Sequence, residues 1–214
     1  KLIIVRFERK YRIENMSVAH VLQAIKTHPA GFVKAFPDRI VNNIYFDTPN
    51  LECFNDNLSG VSHRKKYRVR WYGENIEKLI SPILEVKYKE NMLGGKTSFE
   101  FENSSLSELR TLTEAVNDKI TQQFTLKPVL LNSYQRSYWE TGCGKYRITV
   151  DSMLGFHSLM HSPAFFKYMH YEKAIILELK YEEADESDAE RISNFLPFRL
   201  SKNSKYVNGI LLTR

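Results

Sequence analysis

The chain has 214 residues, of which 43% are hydrophobic and 13% aromatic, enough apolar material for one core of ordinary size. We therefore predict a single domain over residues 1–214. The formal net charge of +6 favours an anionic partner, but charge alone does not separate nucleic acid, a membrane surface and small polyphosphates. No apolar run approaches the roughly 18 residues that cross a bilayer, so we expect no membrane segment in this sequence.

The cysteine content indicates a reducing compartment. Cys53 and Cys143 form neither a CxxC pair nor a regular disulfide framework, which argues against a thiolate metal site. We expect a cytoplasmic location. The sequence begins at Lys1 rather than Met, so the expectation includes a membrane tether or partner domains outside it.

The first half of the chain predicts strands interrupted by one clear helix. Ser17 is a good N-cap for that helix, which must end before Pro29. Gly31 and Pro37 mark a loop, and Thr48-Pro49-Asn50 marks a turn. The predicted elements are a strand at 3–13, a helix at 18–25, a strand at 41–47, an ambiguous segment at 51–57, a basic strand at 63–72 and a strand at 83–89.

The second half of the chain adds two covering helices. Leu106, Leu109, Leu112 and Val116 recur at helical spacing, with Ser104 or Ser105 as a cap. The predicted elements are a helix at 104–124, strands at 129–140 and 145–151, a loop with a short helix at 155–172, a strand at 174–182, a helix that ends before Pro197, and an apolar tail at 207–212.

The segment Arg64 to Trp71 has the clearest pattern. On a strand, Arg64, Lys66, Arg68 and Arg70 project to one side, while Tyr67, Val69 and Trp71 project to the other. A solvated strand face is the plain alternative for any single strand. The pattern recurs, however, on the predicted strands that carry Lys10, Lys87, Arg147 and Lys180, and its polar faces are mostly basic.

The strands and their charged faces together predict a mostly-β fold of the α+β class, a closed eight-stranded antiparallel barrel with covering helices. Such a barrel is filled by side chains or just holds one small ligand. Arginine and lysine cannot form a dry interior, because unpaired buried charges are very costly. We therefore expect a bound anion, and the planar arginine fork suits phosphate.

Gly95-Lys96-Thr97 resembles the end of a nucleotide-binding Walker loop. That motif needs a glycine five residues before its last one, and position 90 is Glu. We therefore reject the Walker interpretation. Lys96 is predicted to lie on a glycine turn from which it reaches a phosphate, and an ordinary hairpin is the alternative.

Eight short motifs follow one another along the chain. They are Arg6-Phe7-Glu8-Arg9-Lys10, Tyr45-Phe46-Asp47-Thr48-Pro49, Lys66-Tyr67-Arg68-Val69-Arg70-Trp71-Tyr72-Gly73, Leu84-Glu85-Val86-Lys87, Tyr134-Gln135-Arg136, Tyr146-Arg147-Ile148-Thr149-Val150-Asp151, Leu177-Glu178-Leu179-Lys180 and Ser201-Lys202-Asn203-Ser204-Lys205-Tyr206. In this order they resemble the VTC domain, the polyphosphate polymerase branch of the triphosphate tunnel metalloenzymes, also called CYTH-like.

The resemblance implies a tunnel in which basic side chains bind ATP and a growing polyphosphate chain. Carboxylate-bound Mn²⁺ or Mg²⁺ would assist transfer of the γ-phosphoryl group. The implied catalytic phosphate contacts are Lys10, Arg68, Arg70, Lys87, Arg136 and Arg147. Further implied phosphate ligands are Lys96, Lys202 and Lys205. Glu178 is the implied metal ligand, and Glu8 is a second metal candidate.

One position departs from the hydrolytic relatives. These carry a Glu-x-Glu-x-Lys signature on the first strand, and Arg6 stands where the first Glu would be. This departure weakens the hydrolase interpretation and fits the polymerase branch. For each implied phosphate ligand, the alternative is pairing with a neighbouring carboxylate or plain exposure.

We therefore expect an ATP-dependent polyphosphate polymerase domain. Phosphoryl transfer needs positioning and charge neutralisation rather than a protein nucleophile, which agrees with the lack of a persuasive nucleophile arrangement. A tunnel-fold triphosphatase is the second interpretation, and a non-catalytic module that binds polyphosphate or inositol pyrophosphates is the third. Nucleic-acid binding is not expected, because no RNA- or DNA-binding motif occurs.

Overall fold

The chain alternates antiparallel strands with short helices in the ranges that the computed structural model describes, namely residues 6–90, 93–120, 124–160 and 169–214. The strands in these ranges are β1 (Arg6–Ile13), β2 (Phe32–Asp47), β3 (His63–Tyr72), β4 (Lys78–Leu79), β5 (Ile83–Glu90), β6 (Leu93–Glu100), β7 (Ser104–Ser105), β8 (Lys127–Thr141), β9 (Arg147–Ser158), β10 (His170–Glu172) and β11 (Ile175–Glu182). The α-helices are α1 (Val18–Lys26), α2 (Glu52–Ser59), α3 (Leu109–Lys119), α4 (Glu186–Asn194) and α5 (Lys205–Thr213).

One sheet contains nine of the described strands, and β4 pairs with β7 in a small second sheet. The order in the large sheet is β1-β11-β9-β8-β2-β3-β5-β6, with β10 beside β9. The mostly-β, α+β prediction is confirmed. Strands β1 and β6 stand at the two ends of this order, so closure into an eight-stranded barrel stays a prediction.

The chain divides into two compact units. Unit 1 comprises Lys1–Arg39, Tyr134–Leu154 and Glu172–Asn203, and unit 2 comprises Ile40–Ser133, Gly155–Tyr171 and Ser204–Arg214. This division does not test the single-domain prediction. Each unit has its own core and its own charged cluster.

In unit 1, one face of β1, β9 and β11 forms the core against α1 and α4. Tyr11, Ile148 and Leu177 are buried there, together with Val21 and Ile25 of α1. Burying each such side chain stabilises the fold by about 1.5–3 kcal/mol. Ser17 caps α1 by accepting a hydrogen bond from the His20 N–H, as predicted. The other face of the three strands is therefore left for charged side chains.

In unit 2, β3 follows the predicted alternation. Tyr67, Val69 and Trp71 are buried, while Arg68 and Arg70 between them are part-exposed. The buried face packs in a core that includes Phe46 of β2, Leu84 of β5 and Phe54 of α2. Strand β3 thus sends its cations to the opposite face.

Several predicted boundaries are wrong. Strand β2 begins at Phe32 and includes Pro37, which was predicted to lie in a loop. Residues 33–39 are largely solvent-exposed or half-buried, and proline is tolerated where a strand N–H would face solvent. The ambiguous segment at 51–57 is helix α2, and β9 continues to Ser158 where a loop was predicted. The rest of the predicted loop falls partly at 161–168, outside the described residues.

The prediction that Lys96 lies on a glycine turn is also wrong. Gly94, Gly95 and Lys96 lie within β6, which pairs in register with β5. Gly95 lies opposite Tyr88, and a Cβ on Gly95 would come within 2.1 Å of the Tyr88 ring. Only glycine lets the ring lie this close, so here the residue extends a strand rather than marking a turn.

Candidate functional site

The strand register of unit 1 assembles a charged face across β1, β11 and β9. Lys10 lies opposite Glu178, and Glu178 lies opposite Thr149. Directly opposite residues share a face of the sheet, so these three side chains form one row. The adjacent row is Glu8, Lys180 and Arg147. Two predicted metal carboxylates and two predicted phosphate ligands therefore meet on one face.

Lys10 and Glu178 are the centre of this face. Lys10 Nζ lies 3.6 Å from Glu178 Oε1 and 3.3 Å from Glu8 Oε2, and Lys180 Nζ lies 3.1 Å from Glu178 Oε2. Glu178 is buried, whereas both lysines are part-exposed. The two lysines are long and flexible, so they can exchange a carboxylate partner for a phosphate.

The carboxylates of Glu178 and Glu8 fit a Mn²⁺ or Mg²⁺ ion. Both reach the same Lys10 ammonium group, which shows that their oxygens converge on one cation. Mg²⁺ is usually held by one or two carboxylates together with waters and substrate phosphates. A group of three or more Asp, Glu, His or Cys side chains suited to a metal does not occur in the described part of the chain.

Arg136 lies on β8 and is buried in unit 1. Its Nε and Nη2 donate to the two carboxylate oxygens of Asp151, at 2.5 and 2.7 Å. Burial alone would lower the pKa of Arg136, but the Asp151 carboxylate outweighs burial and raises that pKa well above its usual value. Arg136 is therefore a fixed charge with a defined orientation. We refer to Glu8, Lys10, Arg136, Asp151, Glu178 and Lys180 as the first cluster.

Arg147 and Lys202 lie in unit 1 and are more exposed. Arg147 Nε lies 4.0 Å from Glu140 Oε2, and its side chain is 62% exposed. Lys202 is exposed and follows Ser201, whose N–H donates to the Lys10 carbonyl at 2.8 Å. This hydrogen bond places the backbone next to Lys202 beside β1, although Lys202 and Lys10 are far apart in sequence.

Unit 2 assembles its own charged face across β3, β5 and β6. Arg68 lies opposite Glu85, which lies opposite Ser98. In the next row, Lys66 lies opposite Lys87, which lies opposite Lys96. Like charges directly opposite one another destabilise a sheet. We refer to Lys66, Arg68, Arg70, Glu85, Lys87 and Lys96 as the second cluster.

Glu85 is the buried carboxylate of the second cluster. Its Oε2 accepts from Arg68 Nε at 2.6 Å and lies 3.7 Å from Arg70 Nη1, while its Oε1 accepts from Lys96 Nζ at 3.0 Å. Burial raises the pKa of Glu85, but Arg68, followed by Arg70 and Lys96, outweighs burial and holds that pKa well below its usual range. Glu85 therefore aligns three predicted phosphate ligands.

Two buried asparagines hold Arg70 in place, in addition to its contact with Glu85. Arg70 Nε donates to Asn43 Oδ1 at 2.9 Å, Asn43 Nδ2 donates to Asn132 Oδ1 at 3.4 Å, and Asn132 Nδ2 donates to the Gly155 carbonyl at 3.0 Å. Both asparagines are fully buried. The chain of hydrogen bonds ends on backbone, so Arg70 is held by rigid parts of the fold.

The start of α5 also contacts the second cluster. Lys66 Nζ donates to Ser204 Oγ at 3.0 Å, and Ser204 is the N-cap of α5. Lys205, another predicted phosphate ligand, is the first residue of that helix. The contact places the start of α5 beside the basic row of β3, β5 and β6.

The structure brings most predicted site residues into these two groups. Lys10, Arg136, Glu8 and Glu178 belong to the first cluster. Arg147 lies in the same strand row as Glu8 and Lys180, and Lys202 follows Ser201, which bonds to the Lys10 backbone. Arg68, Arg70, Lys87 and Lys96 belong to the second cluster, and α5 carries Lys205. Their roles as ligands stay predictions. Sequence reasoning did not assign roles to the buried polar residues Glu85, Asp151, Asn43 and Asn132. Alternation with apolar residues gave the strand and face of Glu85 and Asp151, and it gave no face for the two asparagines.

The family model of the VTC domain matches residues 5–214. The chain belongs to the VTC domain family. The match spans nearly the whole sequence, as the eight ordered motifs predicted. A search of curated protein sequences found no match to this VTC domain.

Three solved structures share the fold of this VTC domain. A proposed adenylate cyclase from Vibrio parahaemolyticus has a TM-score of 0.57 and 14% identity, covering 96% of this chain and 98% of that one. HpAC1 from Hippeastrum, a proposed adenylyl cyclase with a dominant triphosphatase activity, has a TM-score of 0.55 and 14% identity, covering 99% and 97%. A proposed adenylate cyclase from Bacillus halodurans has a TM-score of 0.53 and 12% identity, covering 94% and 95%. At these identities the likeness shows a shared fold and nothing further.

No helix in the described ranges of this VTC domain is both long and apolar enough to span a membrane.

Proposed function

We propose that this VTC domain is an ATP-dependent polyphosphate polymerase that transfers the γ-phosphoryl group of ATP to a growing polyphosphate chain. The observation that supports the proposal most strongly is the second cluster, where Arg68, Arg70 and Lys96 contact the buried carboxylate Glu85 and Lys66 and Lys87 lie in the next row. Arginine forks and lysine ammonium groups gathered on one face suit an anionic ligand such as phosphate. The proposal includes the closed eight-stranded barrel that the resemblance implies.

Each cluster has side chains suited to phosphate. In the second cluster and the adjoining α5, Arg68, Arg70, Lys87, Lys96 and Lys205 bind phosphate oxygens. In unit 1, Lys10, Arg136, Arg147 and Lys202 do the same. Arginine forks align phosphate groups bidentately, and lysines neutralise charge that spreads over the oxygens during transfer.

Glu178 and Glu8 hold the Mn²⁺ or Mg²⁺ ion in this proposal. When bound, the metal neutralises negative charge on the phosphate oxygens. The chain itself contributes the orientation: Asp151 fixes Arg136, Glu85 fixes Arg68, and Asn43 fixes Arg70. Pre-aligned charges need no reorganisation when the phosphoryl group moves.

The test is to incubate the purified domain with ATP and Mn²⁺ and to follow polyphosphate on a gel. We expect polymer from the wild type and a decrease of about 100-fold in the Arg68→Ala/Arg70→Ala variant, which loses two oriented donors. The matched control is Arg110→Ala, because Arg110 on α3 is 93% exposed. The double variant deprives buried Glu85 of its main partners. Lys87→Ala keeps both arginines and is therefore a second test.

Triphosphate hydrolysis is the second candidate, and the dominant triphosphatase activity of HpAC1 favours it. In that reaction a water takes the place of the acceptor phosphate. Release of orthophosphate and ADP without polymer would support the hydrolase and contradict the polymerase. Tight ATP or polyphosphate binding with neither product would contradict both and indicate a binding module.

A further inference from the structure

Thr149 lies in the centre of the charged face of unit 1, yet its hydroxyl finds no hydrogen-bond partner in the described part of the chain. The residue is 7% exposed. Its Oγ1 atom is buried and makes no hydrogen bond within the described residues. Buried hydroxyls are normally paired, because an unpaired one loses its interactions with water without replacement. A valine would fill almost the same volume without this cost, so the hydroxyl at this position needs an explanation.

The register shows what this hydroxyl faces. Thr149 lies directly opposite Glu178, which lies opposite Lys10, and its neighbours along the same face of β9 are Arg147 and Asp151. Arginine and lysine have only donors and cannot accept a hydrogen bond from the threonine. The nearby carboxylates are already engaged, since Glu178 contacts Lys10 and Lys180 and Asp151 binds Arg136.

We propose that Thr149 Oγ1 donates a hydrogen bond to a phosphate oxygen of the bound ATP or polyphosphate. This inference rests on the proposed function, because it assigns a further ligand to the same phosphate site. Phosphate oxygens are acceptors that carry negative charge, so they satisfy the hydroxyl and match the surrounding cations in one contact.

Ligand binding can bring a phosphate to the Thr149 hydroxyl, because the lysines that contact Glu178 can exchange this carboxylate for the phosphate. Lys10 and Lys180 are 29% and 31% exposed and are held by Glu178. A phosphate competes with Glu178 for both ammonium groups. When these long side chains turn to the phosphate, its oxygens approach the row that contains Thr149.

The experiment measures binding of inorganic tripolyphosphate to the full chain by calorimetry, with a chelator present so that no metal contributes. We expect Thr149→Val to bind at least about tenfold more weakly, as for a lost hydrogen bond to a charged group. Thr149→Ser keeps the hydroxyl and should bind as the wild type does. Thr97→Val is the matched control, because Thr97 is an exposed strand residue on the face of β6 opposite to Lys96.

A stability measurement separates ligand contact from structure. Urea unfolding without ligand should show Thr149→Val to be as stable as the wild type or more stable, because the valine removes an unsatisfied hydroxyl. If Thr149→Val does not fold, Thr149→Ala replaces it in the binding assay.

Wild-type affinity for tripolyphosphate in Thr149→Val, measured without metal, would overturn the inference. A loss of affinity that then appeared only with Mn²⁺ would mean that Thr149 acts on Glu178 rather than on phosphate. Absence of polymer from the wild type would instead count against the proposed polymerase, and the binding assay would still decide the role of Thr149.

Discussion

Buried carboxylates determine where the candidate phosphate ligands point. Glu85 contacts Arg68, Arg70 and Lys96, and Asp151 binds Arg136 through both of its oxygens. Removing one partner of such a buried pair leaves the other charge without compensation. Under the proposed function, the same carboxylate competes with an incoming phosphate for the cations, so we expect Glu85 to support the fold and to limit ligand affinity.

Glu85→Gln tests this double role. We expect the free energy of unfolding to fall by about 3 kcal/mol, because Arg68 and Arg70 lose their buried counter-charge. Tripolyphosphate should recover much of the loss, since its oxygens replace the missing anion, and should bind more tightly than to the wild type. Urea unfolding with and without tripolyphosphate measures both effects.

Glu100→Gln is the control for that comparison, because Glu100 is an exposed residue of β6. Its unfolding curve should match that of the wild type. Equal stability of Glu85→Gln and the wild type, with equal response to tripolyphosphate, would show that Glu85 does not organise the second cluster.

At the scale of single residues, the strand face of the cationic side chains could be predicted, but their carboxylate partners could not. Period-two alternation put Arg68 and Arg70 on one strand face, and β3 confirms it. Glu85 lies 17 residues from Arg68, and Asp151 lies 15 residues from Arg136. Which carboxylate meets which arginine depends on strand register, which the alternation of one strand does not specify.

At the scale of elements, Asp47 connects the end of β2 to two helices. Its carboxylate accepts from the N–H groups of Thr48, Cys53 and Phe54 and from the Tyr206 hydroxyl. Helix α2 begins after Leu51, which has φ of 55° and offers no side-chain cap. Asp47 therefore provides the acceptors that the first turn of α2 needs, and it also anchors α5.

Asp47→Asn should lower the free energy of unfolding by about 2–3 kcal/mol, because one oxygen that accepts from Phe54 and Tyr206 becomes a donor. Tyr206→Phe, which removes only one of the four hydrogen bonds, should cost less. Chemical unfolding followed by far-UV circular dichroism gives both values. A smaller loss in Asp47→Asn than in Tyr206→Phe would contradict the central role of Asp47.

Elements with a strong local signal were predicted well. Ser17 and the spacing of Val21 and Ile25 gave α1, and alternation gave β3 and β11. The errors at Pro37 and Gly95 share a cause. Both residue types are typical of turns, but solvent exposure allows Pro37 in β2 and the Tyr88 ring covers Gly95 in β6. Tertiary surroundings overrode the local preference in both places.

At the scale of the whole molecule, buried ionisable groups set the pH range of stability. The arginines around Glu85 hold its pKa below the usual range, despite burial. Burial, with Asp47 nearby, raises the pKa of the Tyr206 phenol, and burial also raises the pKa of the Tyr67 phenol. Because folding lowers the carboxyl pKa, the ionised carboxylate stabilises the fold at pH values above its usual pKa. Because folding raises the phenol pKa, the protonated phenol stabilises the fold at pH values below its usual pKa.

Stability should therefore reach a plateau at neutral pH and fall on both sides. As pH drops below about 4.3, the unfolded state takes up a proton at Glu85 before the folded state does. As pH rises above about 10, the unfolded state releases the Tyr206 proton first. Urea unfolding from pH 3 to pH 11 measures the curve. Glu85→Gln should reduce the fall in the free energy of unfolding at acid pH, and Tyr206→Phe should reduce the fall at alkaline pH. Unchanged slopes of the curve would mean that other groups control the pH dependence.

The row of Lys66, Lys87 and Lys96 has a consequence for how this domain tolerates mutation. Lysines of three adjacent strands lie directly opposite one another, and the repulsion between these like charges destabilises the sheet. Neutral replacements at these lysines should therefore raise the free energy of unfolding. Under the proposed function each replacement also removes a phosphate contact, so selection for stability alone would remove this row and selection for ligand binding would keep it.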